Sequence, residues 1–380
     1  MKRKSGGRQL PVGIGIVGAG LMGSIHAGCY AKRRDCCVIG CFSRTRSKAE
    51  ALAQQFGGRV YDSLKELLAD PEIDAVNISS PQAVHAEQAI AAAKAGKHIF
   101  CEKPVALTAR ELGDIEKAIA RAGVTFMTGH QLRFHPVVNV VKANMPRLGP
   151  VYHLDIEWTL RIAGHKGRCW ESYRLGGFFM ELGCHVTDLA RYFMGPIQDI
   201  SAYTLRINPK RITEDYTNCL LRFKRGAVGS ILVSANHRTG RQGLLRGRVL
   251  GEKGRIDFTV YPYGRQFNRA TLVLDKGKSI FVPDVTVREL RIPRRPSPSE
   301  VYPGFFDVYE QEAAAFLKAV RTGAEPPCTL ADGRSAIEII LAAYHQQGVA
   351  TRRRNFVRRP KRYRSDAECH PLIRSGAKAH

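Results

Sequence analysis

The sequence predicts an α/β protein of two domains, a doubly wound parallel sheet followed by an α/β domain with a large, mostly antiparallel open sheet. Three observations carry this reading. The run Val12–Val17 reads as a buried strand that breaks into Gly18-x-Gly20-x-x-Gly23 and then into a helix. Residues 12–145 alternate strand-like and helix-like segments, the rhythm of a parallel sheet covered on both faces. Beyond Leu148-Gly149-Pro150 the pattern changes to apolar–polar alternation, as in half-solvated antiparallel strands.

In the first domain, placed at residues 11–148, a helix runs from Leu21 to about Arg33. A strand at 37–42 and a helix at 47–56 follow, then a short helix at 63–69 with Ser63 capping its start. A strand at 75–79 leads to an alanine-rich helix at 83–95 that Gly96 ends, and to a strand at 98–101. Thr108 caps a helix to Ala122, and a strand at 124–128 completes the series. The second domain, residues 149–347, places strands at 151–160, 197–207, 216–223, 228–235, 244–250, 255–260 and 271–274, with Lys224-Arg225-Gly226 as a hairpin. Two helices, about 305–321 and 330–345, close it, and residues 348–380 read as a basic, flexible tail.

A chain of 380 residues is long enough for two cores, and 44% hydrophobic content is ordinary for a globular protein. No apolar run approaches the ~18 residues of a membrane span. The basic start, Met1 to Arg8, leads into the first strand without the apolar segment of a secretory signal, so a cytoplasmic location is expected. Ten cysteines show no C-x-x-C pair and no metal-ligand spacing, and they read as reduced and structural. The net charge of +25 concentrates toward the ends, with Arg352 to Lys378 opposed only by Asp366 and Glu368 at the C-terminus. Without a nucleic-acid-binding motif, this reads as a solvated tail rather than an arm for a polyanion, so neither nucleic acid nor membrane is an expected partner.

The glycines point to a dinucleotide. Gly18 makes the tight turn, Gly20 lets the backbone approach a pyrophosphate, and Gly23 lets the helix pack closely on the strand. The phosphates then lie at a helix N-terminus, where free N–H groups favour negative charge. A site for NAD usually carries Asp or Glu about 20 residues further on, bonded to the ribose 2′-OH. Here Ser43 and Arg44 occupy that place, a hydroxyl and a guanidinium suited to a 2′-phosphate, with Arg46 and Lys48 adding positive potential. NADP is therefore expected over NAD.

Two further segments carry chemistry. Glu102-Lys103-Pro104 ends a sheet strand, where open α/β folds bind ligands, and Lys103–Pro104 is a candidate cis peptide. The stretch Gly176-Gly177-Phe178 to Leu189 reads as a helix with Glu181, His185 and Asp188 on one face, a histidine flanked by carboxylates suited to acid/base work. Met180, Cys184, Leu189 and Phe193 form its packing side.

In this order, the glycine loop, Glu102-Lys103-Pro104 and the Gly-Gly…Glu181-x-x-x-His185-x-x-Asp188 helix resemble the Gfo/Idh/MocA oxidoreductase family. Ser80-Pro81 with His85, Gly96-Lys97-His98, Arg133-Phe134, Trp170 and the late helix around Glu312 and Phe316 extend the resemblance over residues 11–347. It implies a Rossmann domain and a dehydrogenase acting on a sugar, inositol or related polyol. Carried over by position, Lys103 hydrogen-bonds the reacting oxygen and His185 exchanges its proton, with Glu181 as a third catalytic residue. The implied cofactor contacts are Gly18, Gly20, Leu21, Met22, Gly23, Ser43, Arg44, Lys48, Ser80, Pro81, His85, Glu102 and Lys103. Arg133, Trp170 and Asp188 are the substrate candidates, among a polar and aromatic set that includes His153, Glu157, Trp158, Arg161, His165, Lys166, Arg168 and Tyr173. Glu181 stands where the family mostly has Asp, so its carboxylate must withdraw or the substrate pocket must differ, and Phe178 replaces a third glycine. The family implies a homo-oligomer, a dimer or tetramer, through the open sheet. Two alternatives are a relative that uses nicotinamide transiently to cleave a glycosidic bond and a nucleotide-sensing regulator.

Overall fold

Val12–Val17 is buried at every position because it lies inside a parallel sheet whose two faces are both covered. The computed structural model describes residues 4–5, 8–9, 11–160, 176–236, 243–260, 268–275, 285–290 and 306–347. A small antiparallel ladder, Lys4–Ser5 (β1) and Arg8–Gln9 (β2), precedes Val12–Val17 (β3). With Cys36–Phe42 (β4), Arg59–Val60 (β5), Ala75–Ile78 (β6), His98–Glu102 (β7) and Phe126–Gly129 (β8), β3 forms a six-stranded parallel sheet in the order β5-β4-β3-β6-β7-β8. The order reverses between β3 and β6, so the carboxyl ends of these two strands flank the crevice where such sheets take ligands.

The helices between them are Leu21–Ala31 (α1), Arg46–Phe56 (α2), Leu64–Ala69 (α3), His85–Lys94 (α4) and Ala109–Ala122 (α5). The caps read from the sequence are present. Ser63 Oγ accepts from the Glu66 N–H, and Thr108 and Glu111 exchange hydrogen bonds in a capping box. One helix, Pro136–Asn144 (α6), departs from the sequence reading. Its valines disfavour helix locally, but Pro136 at the first turn and the His135 side chain accepting from the Val137 N–H start it.

The second sheet has eight strands: Val151–Thr159 (β9), Ile197–Leu205 (β10), Tyr216–Phe223 (β11), Val228–Ser234 (β12), Leu244–Gly251 (β13), Gly254–Val260 (β14), Arg269–Asp275 (β15) and Val285–Leu290 (β16). Their order is β10-β11-β12-β9-β13-β14-β15-β16. β9 is antiparallel to β13 but parallel to β12, so its alternating pattern reports one solvated face rather than two antiparallel neighbours. β16 was not assigned from the sequence.

Period-two alternation divides β9 between two faces. Leu154, Ile156 and Trp158 are buried on the inner one, where Cys184–Met194 (α7) packs on β9, α6 on β14 and β15, and Leu330–Gln346 (α9) on β10. The outer face carries a charged lattice. Arg246 pairs with Glu157, and Asp257 takes Arg248 at 2.6 Å and Arg255 at 2.8 Å. A groove of about 740 Å³ lies on that face and shares no residue with the nucleotide crevice. Phe306–Thr322 (α8) returns to the first domain and packs on α1, burying Tyr309, Phe316 and Leu317 in one core with Ile25 and Tyr30.

Among the described residues, no helix is long and apolar enough to cross a membrane. Burial pushes the Cys41 thiol up to about 11 and the Cys29 thiol up to about 12, in keeping with inert core cysteines.

Candidate active site

The turn after β3 is built by close approach of backbone. Gly18 has φ +103°, and a Cβ there would lie 2.6 Å from the Ser80 nitrogen across the crevice. A Cβ at Gly23 would come within 1.9 Å of the Gly18 oxygen, so strand and helix meet at van der Waals limits. Gly20 differs, since a Cβ would meet nothing within 4 Å. Its missing side chain is not explained by packing within the protein, and it leaves the α1 N-terminus open to a ligand. The first turn of α1 holds no acidic residue, so nothing opposes an anion there. The loop therefore fits a dinucleotide phosphate. Leu21 is 60% exposed beside it and Met22 is half-buried.

At the end of β4, Ser43 Oγ accepts from the Thr45 N–H at 3.3 Å and shapes the turn. Arg44 and Lys48 are exposed and make no ion pair among the described residues. Arg46 is different from its expected role, because Glu50 holds it at 2.9 Å and Asp62 takes its second nitrogen. Its charge is compensated, which leaves Arg44 and Lys48 as the cations of this corner.

Ser80, Pro81 and His85 lie beyond β6. Ser80 Oγ donates to Gln88, Pro81 precedes a 3₁₀ turn, and His85 reaches the Ser80 carbonyl at 2.7 Å and the Pro104 carbonyl at 2.9 Å. His85 thus ties the loop after β6 to the loop after β7. Burial pushes it below the ordinary histidine value, against the pull of the two carbonyls.

Glu102 is buried on β7, where one oxygen lies 2.8 Å from His26 Nε2 of α1 and the other accepts from the Lys103 N–H at 3.2 Å. Burial is the largest single influence and works against its charge, but the His26 hydrogen bond together with the nearby His26, Lys103 and His85 charges holds the carboxyl below the usual range. The Lys103–Pro104 bond is cis. Lys103 Nζ donates to the Glu181 carboxylate and to the Glu181 carbonyl, each at 3.1 Å. Burial is the largest single influence and opposes this ammonium too, but the Glu181 charge and hydrogen bond, with Cys184 and Glu102 nearby, together keep Lys103 above the ordinary lysine value.

The helix expected from Gly176 onward is not uniform. Phe179–Gly183 is a π-helical turn, and regular α-helix begins at Cys184. Such a turn inserts a residue, so the i, i+4 pairing read from the sequence does not describe how Glu181 and His185 stand. Glu181 turns onto Lys103, which accommodates its extra methylene. His185 is 3% exposed, with its ring 5.1 Å from that of Trp158 and its Nδ1 without a hydrogen-bond partner among the described residues. Burial, reinforced by Lys103 and His130, pushes its imidazole well below the usual value, so it stands neutral. Phe178 is a core residue.

Asp188 is buried and fully engaged. Arg133 grips both its oxygens, at 2.8 and 2.6 Å, and also reaches Asp332 and the Pro327 carbonyl. Of the other pocket candidates, Trp158 faces His185, whereas on the outer sheet face His153 lies 2.8 Å from Asp155 and Glu157 pairs with Arg246. Trp170, Arg161, His165, Lys166, Arg168 and Tyr173 lie outside the described residues, as does the 348–380 tail.

Sequence reasoning did not single out His26, His130 or Gln131. His130, at the end of β8, has neither ring nitrogen bonded among the described residues, and Gln131 Oε1 is likewise unbonded. His130, whose Nε2 stands 3.6 Å from Asp188 Oδ1, and Trp158, whose Nε1 is unbonded among the described residues, both lie beside His185. For His130 and Gln131, the position just beyond the carboxyl end of β8 was the available signal.

Residues 12–130 match the family model described as oxidoreductase family, NAD-binding Rossmann fold, and residues 145–257 match the GFO/IDH/MocA C-terminal domain. An uncharacterized oxidoreductase of Bacillus subtilis, YrbE, is 30% identical over 352 residues, spanning 88% of this chain and 94% of its own. A myo-inositol 2-dehydrogenase of Thermotoga maritima is 29% identical over 340 residues, spanning 87% of this chain and 94% of its own. Among solved structures, levoglucosan dehydrogenase with NADH superposes with a TM-score of 0.79 at 23% identity, covering 89% of this chain and 97% of that one.

Proposed function

From its membership of the Gfo/Idh/MocA oxidoreductase family, as an NAD(P)-dependent enzyme acting on CH–OH groups, we propose that this chain is a sugar or polyol dehydrogenase that prefers NADP. The observation that carries the reading is the convergence of Lys103, Glu181 and His185 at the carboxyl end of β7. When bound, the nicotinamide supplies the hydride acceptor or donor. The glycine loop and the α1 N-terminus hold its phosphates, with Leu21 and Met22 at the loop's edge and Ser80 and Pro81 across the crevice. Ser43, Arg44 and Lys48 receive the ribose end.

Lys103 donates a hydrogen bond to the reacting oxygen, and Glu181 holds its ammonium charged and aimed. His185, neutral, takes the hydroxyl proton on oxidation and returns it on reduction. Glu102 and His85 set Lys103 rather than touch the reacting atoms. Arg133 and Asp188 are spent on one another, so they act on substrate only through the helix they fasten. The substrate class follows the named relatives, an inositol 2-dehydrogenase and a levoglucosan dehydrogenase. The test is a screen of myo-inositol, D-xylose and D-glucose with NAD+ and NADP+, read by nicotinamide absorbance. Absence of turnover with all of them would sink this reading.

Cofactor preference gives a sharper result. Arg44→Ala is expected to weaken NADP+ binding by roughly 10- to 100-fold, the worth of a charge-assisted hydrogen bond, and to leave NAD+ nearly unchanged. Fluorescence titration of both nucleotides checks it, and an equal loss for the two would remove the 2′-phosphate from this corner.

The chain is further proposed to assemble as a homo-oligomer through the outer sheet face, where Tyr203 and Leu220 are exposed beside the charged lattice. Leu220→Asp is expected to lower the sedimenting mass; an unchanged mass would move the interface elsewhere.

A further inference from the structure

We propose that Glu214 and Tyr344 form a positioning clamp on the start of the catalytic helix, fixing where Glu181 and His185 stand relative to Lys103; this rests on the roles proposed for those three residues. Glu214 lies just before β11 and is 3% exposed. One of its oxygens accepts from the Phe179 N–H at 2.8 Å and from the Tyr344 hydroxyl at 2.5 Å. The Tyr344 oxygen, on α9, accepts in turn from the Met180 N–H at 3.1 Å. These amides open the π-helical turn that carries Glu181, and first-turn amides have no partner inside their own helix. The residue before that turn, Phe178, supplies no side-chain cap. The cap comes instead from two residues 35 and 164 positions away.

The turn is pressed onto this pair. Gly177 has φ +84°, and a Cβ there would lie 2.6 Å from the second Glu214 oxygen and 2.9 Å from the Tyr344 hydroxyl. The Phe179 and Tyr344 rings meet edge to face at 6.2 Å. No other described side chain holds the first two amides of the turn.

The charge of Glu214 decides how firmly the clamp grips. The titratable groups facing it are Tyr344 from α9 and the neighbouring Asp215, while the π-helical turn presents the Phe179 amide. Burial pushes its carboxyl up to about 7, with Asp215 adding to the rise and the Tyr344 and Phe179 hydrogen bonds opposing it. Ionised, the carboxylate draws in both donors; protonated, it holds them less firmly. The grip therefore tightens as pH rises through neutrality. His185 lies well below that range and Lys103 above it, so neither accounts for a step there.

The experiment measures kcat and KM against pH for the 380-residue chain, with NADP+ and the polyol panel above, beside hydrogen exchange of a peptide spanning 177–185. Tyr344→Phe is expected to lower kcat by about 10-fold through misplacement of the catalytic groups, with the KM for NADP+ unchanged and exchange in the peptide faster. Glu214→Gln, which keeps an acceptor but cannot titrate, is expected to flatten the rise of kcat through neutrality. Parent-like kcat and exchange in Tyr344→Phe, or a surviving step in Glu214→Gln, would overturn the clamp. If the parent turns over none of the panel, the dehydrogenase reading falls, and the exchange arm alone decides: faster exchange supports the clamp and unchanged exchange ends it. Both variants retain bulk at their positions, and a urea melt of each beside the parent separates loss of fold from loss of grip.

Discussion

His185→Ala is expected to lower turnover by roughly 100- to 10,000-fold, the contribution of a positioned acid/base. Cofactor binding should survive, because the nucleotide loop belongs to β3 and α1 whereas His185 is on α7. Stopped-flow absorbance gives the first quantity and fluorescence titration the second. Turnover within a few-fold of the parent would remove His185 as the proton carrier. The cause of the large effect is burial. A neutral imidazole 3% exposed, with Nδ1 unbonded among the described residues, is poised to accept a proton that few alternative groups nearby can take. His130 is the neighbour able to substitute, so residual activity in the single variant should fall further in the double variant with His130→Ala.

Arg133→Ala carries the second large effect, on stability. Arg133 is 9% and Asp188 1% exposed, so truncating the arginine leaves a buried carboxylate without its partner. Removal of one member of such a pair costs about 3–5 kcal/mol. The urea midpoint should fall accordingly, with Arg133→Lys in between because it keeps the charge but loses the two-pronged grip. A change below about 1 kcal/mol would show that Asp188 finds water or another donor. The same arginine stacks 5.1 Å over Tyr192 and bonds the Pro327 carbonyl, so its loss touches α7 and the approach to α9 together.

Much of this architecture was legible in the chain because its signals are local. The glycine spacing, the Ser63 and Thr108 caps and the βα rhythm each depend on a few adjacent residues, and each is present in the structure. What escaped depends on distance. The run Pro136–Asn144 is valine-rich, and its helix is stabilised by packing on β14 and β15 rather than by propensity. The π-helical turn at Phe179–Gly183 leaves no mark in a 3.6-residue pattern. Arg133 and Asp188 are 55 positions apart, and each alone resembles a ligand contact more than half of a buried pair. Arg46 likewise reads as free charge until Asp62 is brought alongside. The Lys103–Glu181 contact joins two motifs that the sequence showed separately.

The return of α8 onto α1 has a consequence for how the protein is made. The nucleotide sheet is drawn from residues 12–129, but one of its helical faces buries Ile25 and Tyr30 against Tyr309, Phe316 and Leu317. During synthesis that face emerges long before its cover. A fragment ending near residue 148 would present bare apolar surface and should collect as aggregate, and a nascent chain must shelter the same surface until residue 322 has left the ribosome. The order of the gene thus sets a waiting period in which the dinucleotide half is nearly complete yet sticky.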